Sequence, residues 1–141
     1  MDGDGMMTRL FWIAPLAALA LTGCKDYGES RTPVIKAPAA KVVGEPENCI
    51  SLGSMQSSNV HDDYTIDFRV GSKTYRNTLP YQCHSLGFEK AFSYATSLSQ
   101  LCNTDIIYVL RTGAGRLERG AGCGLGMFVP IEYEKKDSQA D

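Results

Sequence analysis

The stretch Tyr64-Thr65-Ile66-Asp67-Phe68-Arg69-Val70-Gly71-Ser72-Lys73-Thr74-Tyr75-Arg76-Asn77-Thr78-Leu79-Pro80 decides the fold class. Tyr64, Ile66, Phe68 and Val70 alternate with Thr65, Asp67 and Arg69, which is the period of two of a half-buried strand. Gly71-Ser72 follows as a two-residue hairpin connection, with glycine supplying the positive φ that such a turn needs. The chain returns through residues 73–79, with Tyr75 and Leu79 facing in and Arg76 facing out. Pro80 stops the strand because it has no N–H to give a ladder. An antiparallel hairpin is the seed of the domain.

The same period extends to either side. Ile50 and Leu52 predict a short strand after Cys49. Ile106-Ile107-Tyr108-Val109-Leu110, rich in β-branched and aromatic residues, reads as a central strand. Residues 112–126 are glycine-heavy and turn-like, with Leu117 marking a brief strand. Residues 124–131 give a last strand, closed by Pro130 near its edge. In residues 88–98 the apolar positions fit both a helical stripe and an alternating strand.

Five cysteines punctuate the chain: Cys24, Cys49, Cys83, Cys102 and Cys123. Leu21-Thr22-Gly23-Cys24 closes an apolar stretch, residues 10–21, that follows Arg9 and is too short to span a bilayer. It reads as a lipobox, with residues 1–23 a signal peptide and Cys24 the site of lipid attachment. A plain secretory signal cut near Ala20 is the alternative. Asp2 and Asp4 are out of place in such a leader, which points to initiation at Met6 or Met7. Acylation of Cys24 leaves Cys49, Cys83, Cys102 and Cys123, an even set that forms two disulfides in an oxidising compartment. Zinc is the rival, but no C-x-x-C pair supplies a chelating knuckle. Four cysteines allow three pairings; Cys83–Cys102 with Cys49–Cys123 is expected, the latter joining the first and last strands.

Residues 24–48, with Pro33, Pro38 and Pro46 and no apolar period, read as a lipidated tether. An edge strand at Val34-Ile35 or Val42-Val43 is the alternative. Residues 49–133 form the small β domain, a size that gains from staples, and residues 134–141 a charged, disordered tail. The formal net charge of −2 comes without any basic run, which disfavours nucleic acid as a partner.

Catalytic and cofactor chemistry is not legible. The glycines at 113–126 match neither G-x-G-x-x-G nor a phosphate-cradling loop. His61 before Asp62-Asp63 and His84 after Cys83 are the only histidines, and each reads as a solvated loop residue with no third metal ligand. Neighbouring Asp62 and Asp63 point to opposite faces of an extended chain and make a poor carboxylate pair. Gly53-Ser54 and Gly71-Ser72 lack a nucleophile elbow. Asp105 organises a turn through its side-chain acceptor. Aromatic residues remain as a resource for binding: Tyr64, Tyr75, Tyr81, Phe88, Phe92, Tyr94, Tyr108 and Phe128 fill a thin core or form an exposed patch for a partner protein or glycan.

Cys49-Ile50, the 64–79 hairpin, Leu79-Pro80-Tyr81-Gln82-Cys83, the Leu101-Cys102 and Asp105-Ile106 pairs, and Cys123-Gly124-Leu125-Gly126 with Phe128 resemble a family of small exported proteobacterial proteins known only as a domain of unknown function. The resemblance covers residues 49–131. It implies an envelope location and assigns no catalytic residue. It also tilts residues 88–98 toward a strand over 92–96 followed by one helical turn over 97–101.

The expected fold is thus mainly β, a small disulfide-stapled antiparallel barrel or sandwich with at most one short helix. The expected role is that of a lipid-anchored, non-enzymatic binding or structural module of the cell envelope, without cofactor, facing the periplasm. Lys25 rather than Asp after the lipid cysteine favours the outer membrane. Inhibition of an enzyme in the manner of periplasmic lysozyme inhibitors is the alternative, and a hydrolase using His61 or His84 is third.

Overall fold

The computed structural model describes residues 34–96 and 98–135. The signal segment, Cys24, the first part of the tether and the charged tail beyond Lys135 lie outside these residues. Ten strands follow in order: β1 Ala40–Val42, β2 Cys49–Ser51, β3 Met55–Val60, β4 Thr65–Val70, β5 Lys73–Thr78, β6 Phe92–Tyr94, β7 Gln100–Cys102, β8 Ile106–Gly113, β9 Arg116–Gly124 and β10 Phe128–Tyr133. A 3-10 turn, Leu52–Ser54, follows β2, and one short helix, α1 Leu86–Glu89, precedes β6.

The predicted hairpin is present as β4 and β5, with Gly71 at φ 59°. It forms the middle of a five-stranded antiparallel sheet in the order β1-β10-β5-β4-β3. A three-stranded sheet β6-β8-β9 has the predicted strand β8 at its centre, and β2 and β7 form a two-stranded ribbon. The sheets are not closed into a barrel. All three contribute to one core, through Ile66, Phe68, Tyr75 and Phe128, Ile107 and Val109, and Ile50 and Leu101. Phe68 meets Phe128 and Phe92 edge-on, at ring-centroid distances of 5.6 and 6.1 Å, a favoured aromatic geometry.

Several expectations are corrected. Residues 40–42, placed in the tether, pair with β10, so the edge-strand alternative near Val42 is the arrangement found. The polar strand β3 was not foreseen because Gln56, Ser57, Ser58 and Asn59 carry no apolar alternation, yet it pairs with β4 along its length. Of the helical turn expected over 97–101, residues 98–101 are described and are not helical: Gln100–Cys102 is strand β7, and the helix lies earlier, at Leu86–Glu89. Strand β6 does occupy Phe92–Tyr94. The glycine-rich stretch is a nine-residue strand, β9, whose Gly122 lies under the Tyr108 ring of β8. The last strand begins at Phe128, not Gly124, since Gly126 closes onto the Thr78 carbonyl too tightly to carry a Cβ.

Pro130 sits within β10, with β1 on one side and β5 on the other. Val43 N–H donates to its carbonyl on the β1 side. A residue of an antiparallel strand points its N and O the same way, so the missing proline donor falls where β1 ends.

The cysteine pairing is also corrected. Cys49 bonds Cys102, and Cys83 bonds Cys123. The first and last strands do pair, but they are β1 and β10. Cys49 lies on β2, whose partner is β7, where it falls directly opposite Cys102 with a Cα–Cα distance of 4.0 Å.

Candidate functional site

Pro80 ends β5, and the chain then makes a loop over residues 79–90 before β6. One side of this loop is fastened by many groups. Cys83 is bonded to Cys123 on β9, its N–H donates to the Asp63 carbonyl, and Leu79 N–H donates to the Tyr64 carbonyl. Asp63 accepts from Gly87 N–H at 2.7 Å and from Gln82 Nε2 at 3.0 Å. Lys90 Nζ donates to the carbonyls of Val60 and His61. A Cβ at Gly87 would come within 3.0 Å of the Asp62 backbone, so only glycine fits this approach without a shift. Cys83 and Leu86 are fully buried beneath the loop.

Two aromatic residues of the loop, Tyr81 and Phe88, are 83% and 85% exposed. Burying an aromatic ring is worth about 1.5–3 kcal/mol. Leaving two in water forgoes a large share of the roughly 5–15 kcal/mol that holds a domain folded. Ser85 and Lys90, which flank α1, both have positive φ (70° and 57°). Such conformations in residues with a Cβ persist only where their surroundings fix them, and they concentrate at functional sites. The loop is fastened on its inner side, and it exposes two aromatic rings among the polar residues Gln82, His84 and Ser85.

A second cluster lies on the polar face of the five-stranded sheet. Asp67, expected to face solvent with Thr65, is 2% exposed, and Thr65 is equally buried. Its Oδ1 accepts from Arg76 Nε at 2.8 Å; its Oδ2 accepts from Arg76 Nη2 (2.9 Å), His61 Nε2 (2.8 Å) and Tyr133 Oη (2.8 Å). Arg76 Nη1 also donates to the Pro38 carbonyl, and Lys36 N–H to Asp62 Oδ2, so residues 36–38 strap this face. Burial opposes ionisation of Asp67, but the hydrogen bonds from Arg76, Tyr133 and His61 outweigh it and hold the carboxyl below its ordinary range. The same bond raises Arg76. Burial first, then the bond to Asp67, pushes Tyr133 up to about 12. An ionised carboxylate only accepts, so His61 carries its proton on Nε2. Four donors on one carboxylate make a clamp that joins β4, β5, β10 and the strand-leading residue His61.

Beside it opens a cleft of about 800 Å³ lined by residues that include Glu45, Glu47, Lys73, Glu132 and Tyr133. Tyr75 Oη donates to Glu47 Oε1 at 2.9 Å at its margin, and burial followed by this bond raises the Tyr75 phenol. Among the described residues no group of three His, Cys, Asp or Glu side chains is placed to hold a metal.

The residues singled out in the sequence thus separate. His61 meets a carboxylate, but that of Asp67 and not of its neighbours: Asp62 accepts from Tyr64 N–H in a turn, and Asp63 accepts from Gly87 N–H and fastens the loop. His84 is exposed in the aromatic loop and forms no hydrogen bond among the described residues. Asp105 accepts from Cys102 N–H at 2.7 Å, the turn role expected of it. Asp67, Arg76 and Tyr133 were missed. One signal was present: a two-residue turn at Gly71-Ser72 puts Asp67 directly across from Arg76. No family model, curated protein or solved structure matches the chain.

Proposed function

We propose that the chain is a lipid-anchored protein of the bacterial cell envelope, tethered through an acylated Cys24 and facing the periplasm at the outer membrane. There it acts as a non-enzymatic binding module whose contact surface is the aromatic loop. The observation that carries this reading is the exposure of both Tyr81 and Phe88 to water on a loop clamped by a disulfide and by Asp63. Two disulfides suit an oxidising compartment. The partner class is an envelope protein or glycan, because aromatic faces stack on both apolar side chains and sugar rings.

Two measurements test it. Intact-mass analysis of the protein from native membranes reads acylation at Cys24 directly, and an unmodified cysteine there refutes the anchor. Site-specific photo-crosslinkers at positions 81 and 88 in intact cells should give a discrete adduct that a crosslinker at Lys73 does not give. Equal labelling at all three positions, or none, refutes the loop as the contact surface.

The same rigid loop favours one second reading, inhibition of a muramidase by insertion into its cleft. Slower peptidoglycan digestion in the presence of the protein, restored by Tyr81→Ala with Phe88→Ala, distinguishes it.

A further inference from the structure

The β8–β9 hairpin outgrows its sheet. Strand β6 pairs only with Ile107, Tyr108 and Val109 of β8. The last link to its side is the hydrogen bond from Leu110 N–H to the Ala91 carbonyl. Beyond it, Arg111 to Gly113 and Arg116 to Glu118 pair only with each other around the turn Ala114-Gly115, whose two positive φ values (48° and 77°) fit a tight hairpin. At about 3.4 Å per residue this ribbon projects roughly 12 Å. A two-stranded ribbon without a core contact stabilises itself poorly, so its side chains are the reason to look for a partner.

Those side chains include two arginines, Arg111 and Arg116, one glutamate, Glu118, and Leu117, which is 71% exposed; a third arginine, Arg119, stands at the base of the ribbon across from Leu110. Arg111 stands across from Glu118. Arg119 lies over the Tyr108 ring at 5.2 Å. Both ion pairs among the described residues end on Asp67, so none of the hairpin arginines is consumed by one. A hairpin with three arginines to one glutamate thus stands out from a chain whose formal net charge is −2. Addition of a further strand to β9 is blunted, because Gly120 and Ala121 bulge opposite Val109. What the hairpin offers is its cationic and aliphatic side chains.

We infer that this hairpin docks the domain onto an anionic phospholipid surface, with Arg111, Arg116 and Arg119 on the headgroups and Leu117 at their boundary with the acyl chains. Arginines around a lone aliphatic residue match a bilayer surface, where charge and apolar depth lie side by side. The inference rests on the lipid-anchor reading for its local concentration. Even fully extended at about 3.5 Å per residue, the chain from Cys24 to Ala40 spans no more than about 55 Å, so an acylated molecule holds the domain within reach of the headgroups and lets weak contacts count.

The test measures partition of the full, unacylated chain onto phosphatidylcholine vesicles with and without phosphatidylglycerol. The ratio of the two removes any contribution from the apolar segment at 10–21. Each cationic side chain at an anionic surface is worth about fivefold in partition, so Arg116→Glu with Arg119→Glu should cut the ratio at least about twentyfold. Leu117→Ser should lower partition onto phosphatidylglycerol vesicles by a smaller factor. Lys73→Glu, in the cleft, should leave the ratio near that of the parent, and circular dichroism checks that each variant is folded. A ratio unchanged by the arginine reversals, or lowered as far by Lys73→Glu, overturns the inference. Either result leaves acylation of Cys24, read by mass, as a separate question.

Discussion

Replacing Asp67 by asparagine tests the polar clamp with almost no change in shape. The native carboxylate accepts four hydrogen bonds, three of them on Oδ2 from His61, Arg76 and Tyr133. An asparagine amide must turn one NH2 group toward donors, on one side or the other, and no flip removes the conflict. It also leaves the Arg76 guanidinium without its counter-charge. Breaking a buried ion pair by removing one partner costs about 3–5 kcal/mol. The Arg76 side chain retains 18% exposure, and water there softens the loss, so about 2–4 kcal/mol is expected at pH 7.

For a domain of this size the urea dependence is about 1–3 kcal/mol per molar, and the midpoint should fall by roughly 1–3 M. The pH dependence supplies the sharper test. Because the fold holds the Asp67 carboxyl below its unfolded value, its stabilisation is present above the ordinary carboxylate range and lost as pH falls through the folded pKa. Parent and variant should therefore converge in acid, while other carboxylates titrate alike in both. Urea melts followed by circular dichroism at pH 7 and near pH 2 measure this. A midpoint at pH 7 that does not move, or a gap that is just as wide in acid, would refute the clamp.

Four further outcomes follow from the structure. Asn77, fully buried, pairs with the Gly126 backbone through both ends of its amide (2.7 and 2.8 Å); Asn77→Ala should cost about 2–5 kcal/mol, read in a thermal melt, since it orphans two buried backbone groups. Gly126→Ala should be at least as damaging, because its Cβ would drive into the Thr78 carbonyl. Reduction should unfold the domain at ordinary temperature, since sequence separations of 53 and 40 are each worth about 4 kcal/mol in the chain-entropy model; a melt unchanged after complete reduction contradicts this. Tyr133, with its phenol pushed up to about 12, stabilises the fold fully below the ordinary tyrosine range and loses that contribution as pH rises toward 12. Tyr133→Phe should therefore lower stability at pH 8 and flatten the alkaline limb of a pH–stability profile.

Much of this protein is written in local pattern. Alternation in residues 64–70, a glycine-led turn and a proline stop determine the β4–β5 hairpin, because side chains alternate faces along a strand whatever lies beyond it. The β-branched run at 106–110 determines strand β8 for the same reason, and the apolar content of a small domain calls for staples. Even the Asp67–Arg76 pair is implicit there, since the turn length sets the register. Other features depend on what comes close from afar. The burial of Asp67 needs residues 36–38 and Tyr133 brought onto one face from opposite ends of the chain, and no local period encodes that. The disulfide partners follow from β2 meeting β7 and from the loop at Cys83 meeting β9, a choice among pairings that spacing leaves equal. Tyr81 and Phe88 read in sequence as aromatics that either fill the core or form an exposed patch. Only the tertiary structure decided that they stand in water, because exposure is a property of neighbours and not of the residue.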